Sequence, residues 1–322
     1  FRTSSDEGAT WGQERVIIRG PHIAHPYSHG ALIQMTTGRL VLPARFCMSQ
    51  YPAGWGGYEK ISVYAHAKGR KIQMEGHAHA PELDIGKVYY SDDEGDTWKT
   101  SEGEIIPWLD YGYGNVVPFD EPTAAELKDG RLLMFGRSVV GRILKTYSED
   151  GGHTWSYVEV TNLASSYSPA MLRRIPTTGD LLCVWNNVSG DEIRNGFRRG
   201  RLSCAVSKDD GKSWEHFRTL ECSPALARAW YVEPDPEIRL VRARRELGEL
   251  PNDEDWVFDY PDVSFVGDRA LITYYVCRKF PKDRNPNADL SNPFQRACAE
   301  TGVESNLKLR NVPIASLYAD DK

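Results

Sequence analysis

The sequence predicts an all-β chain folded as a multi-bladed β-propeller. Two internal repeats carry that expectation. One is a Ser-x-Asp-x-Gly-x-Thr/Ser-Trp turn present four times; the other is a glycine-centred hairpin of two apolar strands, also present four times. Composition agrees: 322 residues with 40% hydrophobic, 9 Trp and 16 Tyr suit strands packed around aromatic rings.

The turn occurs as Ser4–Trp11, Ser91–Trp98, Ser148–Trp155 and Ser207–Trp214. Strand-like runs precede the last three (KVYY, RILKTY, RLSCAV), and ERVII, SYVEV and EHFRTL follow the first, third and fourth. The residue types explain the turn. Asp folds its carboxylate onto nearby backbone N–H groups, Gly takes a positive φ, and Trp packs back beneath. The aspartates are therefore expected to be structural.

The hairpins span 29–45, 121–137, 168–186 and 260–274. In each, an apolar strand leads to a Gly-Asp or Gly-Arg turn, and a second apolar strand ends seven residues past that glycine. Hairpin followed by boxed turn gives a four-stranded antiparallel unit of roughly 60 residues, the mark of a propeller blade. The last hairpin is followed by LKLRNVPIASLY (307–318), read as an outer strand pair without a box. The first box has no hairpin before it, so the first blade is expected to be incomplete. All 322 residues are read as one domain.

Propeller ligands bind where the innermost strands open onto the central channel. Aligning the hairpins on their glycines puts His29, Glu121, Ser168 and Tyr260 at the first-strand openings. Arg45, Arg137, Asn186 and Tyr274 fall at the second-strand ends. Polar groups converging at the mouth of an apolar scaffold form a candidate ligand site.

These motifs resemble the sialidase (neuraminidase) superfamily, which shares the boxed turn (the Asp-box, or BNR repeat). The resemblance covers essentially the whole chain and implies a six-bladed propeller. It implies that Tyr260 is a nucleophile and Glu121 its general base. Arg137 and Arg199, with Arg201 as runner-up, would grip a substrate carboxylate; Arg45 and His29 are further substrate-contact candidates from the preceding blade. The implied activity is retaining exo-hydrolysis of terminal sialic acid, or a related 2-keto acid sugar, from glycoconjugates. In that family a third arginine and an aspartate acid/base precede the first box. Here the box begins at Ser4, so the chain is expected to lack that half-blade, with His29 the competing proton source.

The chemistry is coherent in its own right. A carboxylate on the anomeric carbon repels an anionic nucleophile, whereas a phenol is neutral until it attacks and needs a base at hand. Arginine forks suit a planar carboxylate, and tyrosine nucleophiles are a recognised exception among glycosidases. The alternatives are another propeller exo-glycosidase, a lyase acting on uronic-acid-containing polysaccharide, and a non-catalytic carbohydrate-binding propeller.

A formal charge of −6 argues against nucleic acid as a partner, and no run of ~18 apolar residues is present to span a membrane. An acidic glycan is the expected partner; oligomeric state is open, and a secreted or periplasmic location is favoured over a cytoplasmic one. No cofactor or metal is expected. Glu75, His77, His79 and Glu82 have ligand-type side chains, but their polar segment reads as a loop over the pocket. The six cysteines show no CxxC pair and imply no disulfide framework. Residues 235–256 read as an inserted helix or loop on the rim.

Overall fold

The computed structural model describes residues 1–17, 23–26, 31–47, 63–67, 70–74, 84–109, 115–241, 256–279 and 303–319. Four antiparallel sheets dominate these residues and correspond to four blades. Blade 1 contains Ile23–Pro26, Ile33–Gln34, Leu40–Cys47, Asp84–Ser91 and Lys99–Thr100. Blade 2 runs Asp120–Glu126, Leu132–Arg137, Arg142–Ser148 and Glu159–Ala164 in order. Blade 3 repeats that plan with Met171–Arg174, Leu181–Asn186, Arg201–Ser207 and Glu215–Cys222. Blade 4 is three-stranded: Trp256–Val266, Arg269–Lys279 and Val303–Pro313.

The propeller among the described residues is thus four-bladed, which corrects the six blades implied by the family resemblance. The reason lies in how the blades face one another. Every residue of Leu132–Arg137 is buried, because each face of that strand packs on a different neighbour. Leu132 and Met134 join Val41, Val88 and Tyr90 of blade 1. Leu133 and Phe135 join Leu181, Cys183 and Trp185 of blade 3. A third cluster unites Leu42, Ala44 and Tyr89 of blade 1 with Leu182 and Val184 of blade 3 and Val263 and Ile272 of blade 4. Blade 1 therefore shares core with blade 2 on one face and with blade 4 on the other. Each glycine-centred hairpin founds one sheet, and four hairpins close the ring.

The expected half-blade at the N-terminus is also corrected. Residues 1–17 form the first boxed turn but no strand. They dock on the second boxed turn instead: the Phe1 ring meets Trp98 edge-on at 5.7 Å, and Arg15 pairs with Asp96. The last segment differs too. Val303–Pro313 is one continuous strand followed by a 3-10 turn, Ile314–Tyr318, rather than an outer pair, since Pro313 cannot donate to a ladder.

The four boxed turns are superimposable in their bonding. Ser91 Oγ donates to Asp93 at 2.7 Å and accepts from Gly95 N at 2.8 Å. Asp93 accepts from Thr97 N at 2.8 Å and from Thr97 Oγ1 at 2.5 Å. The turns at Asp6, Asp150 and Asp209 make the same set. Their glycines have φ between 82° and 95°, which a side chain would disfavour. These bonds hold Asp6 and Asp93, both solvent-exposed, down to about 2.

One contact fixes the floor beneath the site. The fully buried Phe119 ring lies against Gly136, where an added Cβ would sit 2.7 Å from two ring carbons. Gly136→Ala is therefore expected to cost about 1–3 kcal/mol through overpacking, seen as a lower urea midpoint with an unchanged m-value. Residues 235–241 are described and contain no helix, and Trp256 opens a strand; residues 242–255 of the expected rim insertion, and the Glu75–Glu82 segment, lie outside the described residues. Cys183 and Cys222 are free thiols. No helix among the described residues is long and apolar enough to cross a membrane.

Candidate active site

Glu121 and Tyr260 come from equivalent places in opposite blades. Each sits in a β-bulge on the first strand of its hairpin: register slips between Asp120 and Thr123 in blade 2, and between Asp259 and Asp262 in blade 4. Two residues of one strand, Glu121-Pro122 or Tyr260-Pro261, there oppose a single residue of the next. Both residues adopt positive φ, 40° for Glu121 and 48° for Tyr260. For a glutamate, and more so for a bulky tyrosine, this conformation is unfavourable by about 1–3 kcal/mol and persists only where surrounding structure enforces it. Bulges re-aim side chains, and here they aim two toward each other. Tyr260 Oη donates to Glu121 Oε1 at 2.8 Å, across 139 residues of sequence.

The preceding aspartates anchor both bulges. Asp120 is wholly buried and accepts from Arg45 Nη1 at 3.1 Å and from the Tyr167 hydroxyl at 2.6 Å; Arg137 Nε lies 3.1 Å from its other side. Asp259 pairs with Arg199 and also accepts from the backbone N–H of Tyr260 at 2.8 Å. Arg137 reaches further, pairing with Glu121, and its guanidinium stacks 3.9 Å from the Tyr167 ring centre. The Arg199 guanidinium lies 5.6 Å from the centre of the Tyr260 ring.

Burial dominates the site's acid–base behaviour. It lifts Glu121 above the ordinary carboxylate range, with Arg137 pulling the other way and Asp120 adding to the rise. It opposes ionisation of Asp120 as well, but Arg137, Arg45 and the Tyr167 hydroxyl prevail and hold that carboxyl low. Burial, reinforced by Glu121, pushes the Tyr260 phenol up to about 12. Around neutral pH the phenol is thus protonated, and its proton points at a carboxylate more basic than usual.

The structure brings together five of the sequence-predicted positions: Tyr260, Glu121, Arg137, Arg199 and Arg45. Arg201 is held elsewhere. It is fully buried, bonded to Glu192 at 2.7 Å and to the carbonyls of Asn187 and Ala227. His29 lies outside the described residues. Ser168, Asn186 and Tyr274, also aligned with the channel, are buried. Asn186 ties the carbonyls of Arg201 and Phe258, and Tyr274 donates to Glu221. Three site residues escaped the sequence reading: Asp120, Asp259 and Tyr167. The available signal was the twice-repeated Asp-x-Pro at aligned hairpin positions, Asp120-Glu-Pro122 and Asp259-Tyr-Pro261.

A family model described as the BNR repeat-like domain matches residues 1–272. No curated protein matches the chain. Among solved structures, the NanB sialidase of Streptococcus pneumoniae is 12% identical, with alignment over 98% of this chain and 63% of that one and a TM-score of 0.37. The intramolecular trans-sialidase of Ruminococcus gnavus is 13% identical over 99% and 88% of the two chains, with a TM-score of 0.37. The α-L-arabinofuranosidase of Fusarium graminearum is 12% identical over 92% and 67%, with a TM-score of 0.46. The chain spans less than two thirds of the length of the Streptococcus enzyme. Identities this low leave the chemistry to be argued from the site itself.

Proposed function

The chain belongs to the BNR repeat-like domain family, and from that premise we propose that it is a glycoside hydrolase whose reacting pair is Tyr260 and Glu121. The observation that carries the reading is the 2.8 Å hydrogen bond between them, made by two strained, bulged residues of different blades. In the proposed step, Tyr260 Oη attacks the anomeric carbon and its proton passes to Glu121 Oε1. The glycosidic oxygen leaves with the bond's electron pair and takes a proton from a donor. Water then attacks the glycosyl-tyrosine and yields a proton to the now deprotonated donor, while the tyrosine oxygen leaves and takes its proton back from Glu121, with overall retention. His29 is the candidate donor from sequence, outside the described residues.

Two observations bear on the sugar. A phenolic nucleophile suits an anomeric carbon that carries a carboxylate, as in sialic acid. The arginines favour a second reading, a neutral sugar taken by a propeller exo-glycosidase. Arg45 and Arg137 already share Asp120, Arg137 also pairs with Glu121, and Arg199 is bound to Asp259. A substrate carboxylate would have to compete with these internal ones for the same guanidinium forks.

The test is turnover of 4-methylumbelliferyl sialoside, glucuronide and α-L-arabinofuranoside, chosen because that leaving group needs little protonation. The proposal expects hydrolysis of one of them with retention, read from the first-formed anomer. Inversion, or no turnover of any member of a broad aryl-glycoside panel, contradicts it. The pH profile adds a check. Glu121 acts as base only when ionised, and it is raised above the ordinary range, so the acid limb of kcat/KM is expected above the usual glutamate value of about 4.3. Because Arg137 draws Glu121 down, Arg137→Gln should move that limb to higher pH by about one unit or more. A limb that stays in place removes Glu121 as the titrating base.

A further inference from the structure

A second recess lies away from Tyr260, between the outer strands of blades 2 and 3. It has a volume of about 560 Å³ and is walled by Trp214, Phe217, Trp230 and Tyr231, with Lys145 and Asn162 among its polar members. Three of these rings are contiguous: Phe217 and Tyr231 meet at 4.8 Å, and Trp230 lies 5.9 Å from Tyr231 and 6.3 Å from Phe217. Trp230 is nevertheless 58% exposed, so this wall presents ring surface to solvent.

Among the described residues, the indole N–H of the boxed tryptophan is tied to its turn in two of the four boxes and not in the other two. Trp98 and Trp155 donate their indole N–H to the glycine carbonyl of their own turn, at 3.1 and 3.2 Å. Trp214, like Trp11, makes no such bond to the glycine of its turn among the described residues; Trp214 lines the recess instead. Turn stability therefore does not account for the placement of its polar edge.

We propose that this recess is a glycan-binding site separate from the reacting pair, which holds a sugar unit of the chain being trimmed. The proposal rests on the glycoside hydrolase reading for its choice of ligand. A pyranose or furanose ring has an apolar C–H face and a rim of hydroxyls. Aromatic faces carry negative quadrupole charge that attracts the weakly positive C–H groups. The Trp214 indole and the exposed Asn162 amide supply bonds for the hydroxyl rim. The volume falls within the ordinary range for small-ligand pockets. An apolar peptide would use the rings but not this polar edge.

The test uses the full chain carrying Tyr260→Phe, so that bound glycan is not consumed, on an array of sialylated, uronylated and neutral oligosaccharides. The best-bound oligosaccharide is then titrated by calorimetry. Adding Trp230→Ala is expected to weaken binding at least tenfold, and Trp214→Phe, which keeps a ring but removes the N–H, to weaken it severalfold. In the otherwise wild-type chain, Trp230→Ala should leave kcat/KM on a small aryl glycoside within twofold. The site is overturned if no oligosaccharide binds, if neither substitution changes affinity, or if Trp230→Ala lowers small-substrate turnover as much as oligosaccharide binding. Failure of the hydrolase reading shows separately, as wild-type protein that hydrolyses no glycoside. Trp230-dependent glycan binding would uphold the recess even then.

Discussion

Tyr260→Phe is expected to lower kcat on an activated aryl glycoside by a factor on the order of 10³ or more while leaving KM nearly unchanged. The substitution removes one oxygen and nothing else. The ring keeps its place against the blade 4 core and near the Arg199 guanidinium, so substrate packing is retained. The proposed nucleophile is gone, and Glu121 loses the proton donor it accepts from at 2.8 Å. Glu121→Gln should cost about 10²–10⁴, because the amide cannot take the phenol's proton and the phenol, pushed up to about 12, does not ionise unaided near neutrality. The two losses should not add in the double variant, since both residues serve one step. Full additivity would place them in separate roles.

The second large effect is on stability. Asp120→Asn is expected to destabilise the fold by about 3–5 kcal/mol at neutral pH. Asp120 is fully buried and stands between Arg45 and Arg137, whose side chains are only 3–4% exposed, and it also receives the Tyr167 hydroxyl. Replacing the carboxylate by an amide leaves two buried guanidiniums without their shared counter-charge. The pH dependence follows from the direction of the shift. The Asp120 carboxyl is depressed in the folded state, so its contribution is complete above the unfolded value near 3.9. It is lost as pH falls through the folded-state value. The gap between wild type and Asp120→Asn should therefore narrow in strong acid, measurable as converging urea midpoints. A gap that stays constant to low pH would mean the charge of Asp120 is not what stabilises the site.

Much of the fold was legible because its signals are local. The boxed turns follow from Ser, Asp and Gly at fixed offsets, and their hydrogen bonds span no more than four residues. The hairpins follow from apolar runs around a glycine. Blade number is a different kind of property. It depends on Leu42 and Tyr89 of blade 1 sharing a core with Val263 and Ile272 of blade 4, contacts between residues far apart in sequence that no local pattern announces. The first boxed turn misled the count because a turn motif signals a turn and not the strands around it.

The site was legible in outline for the same reason. Aligning hairpins on their glycines reached Glu121, Arg137 and Tyr260, but not what aims them. A residue before proline is normally extended, so nothing in Asp-Glu-Pro or Asp-Tyr-Pro foretells positive φ at the middle residue. Long-range pairing, Asp120 with Arg45 and Asp259 with Arg199, contributes to holding the two bulges. Arg199 and Arg201 illustrate the limit of periodicity. Two residues apart on a strand they would share a face, but the strand begins at Arg201. Arg199 thus precedes it and goes to Asp259, while Arg201 goes to Glu192.

The identity of the nucleophile is the centre of this account, and a trapped intermediate tests it most directly. Wild-type protein is mixed with whichever aryl glycoside it turns over, quenched in acid during the first turnovers, digested and weighed by mass spectrometry. One glycosyl adduct is expected, on the peptide containing Tyr260 and at its phenolic oxygen, that is absent from Tyr260→Phe. An adduct on Glu121 or any other side chain, or retained turnover in Tyr260→Phe, would contradict it.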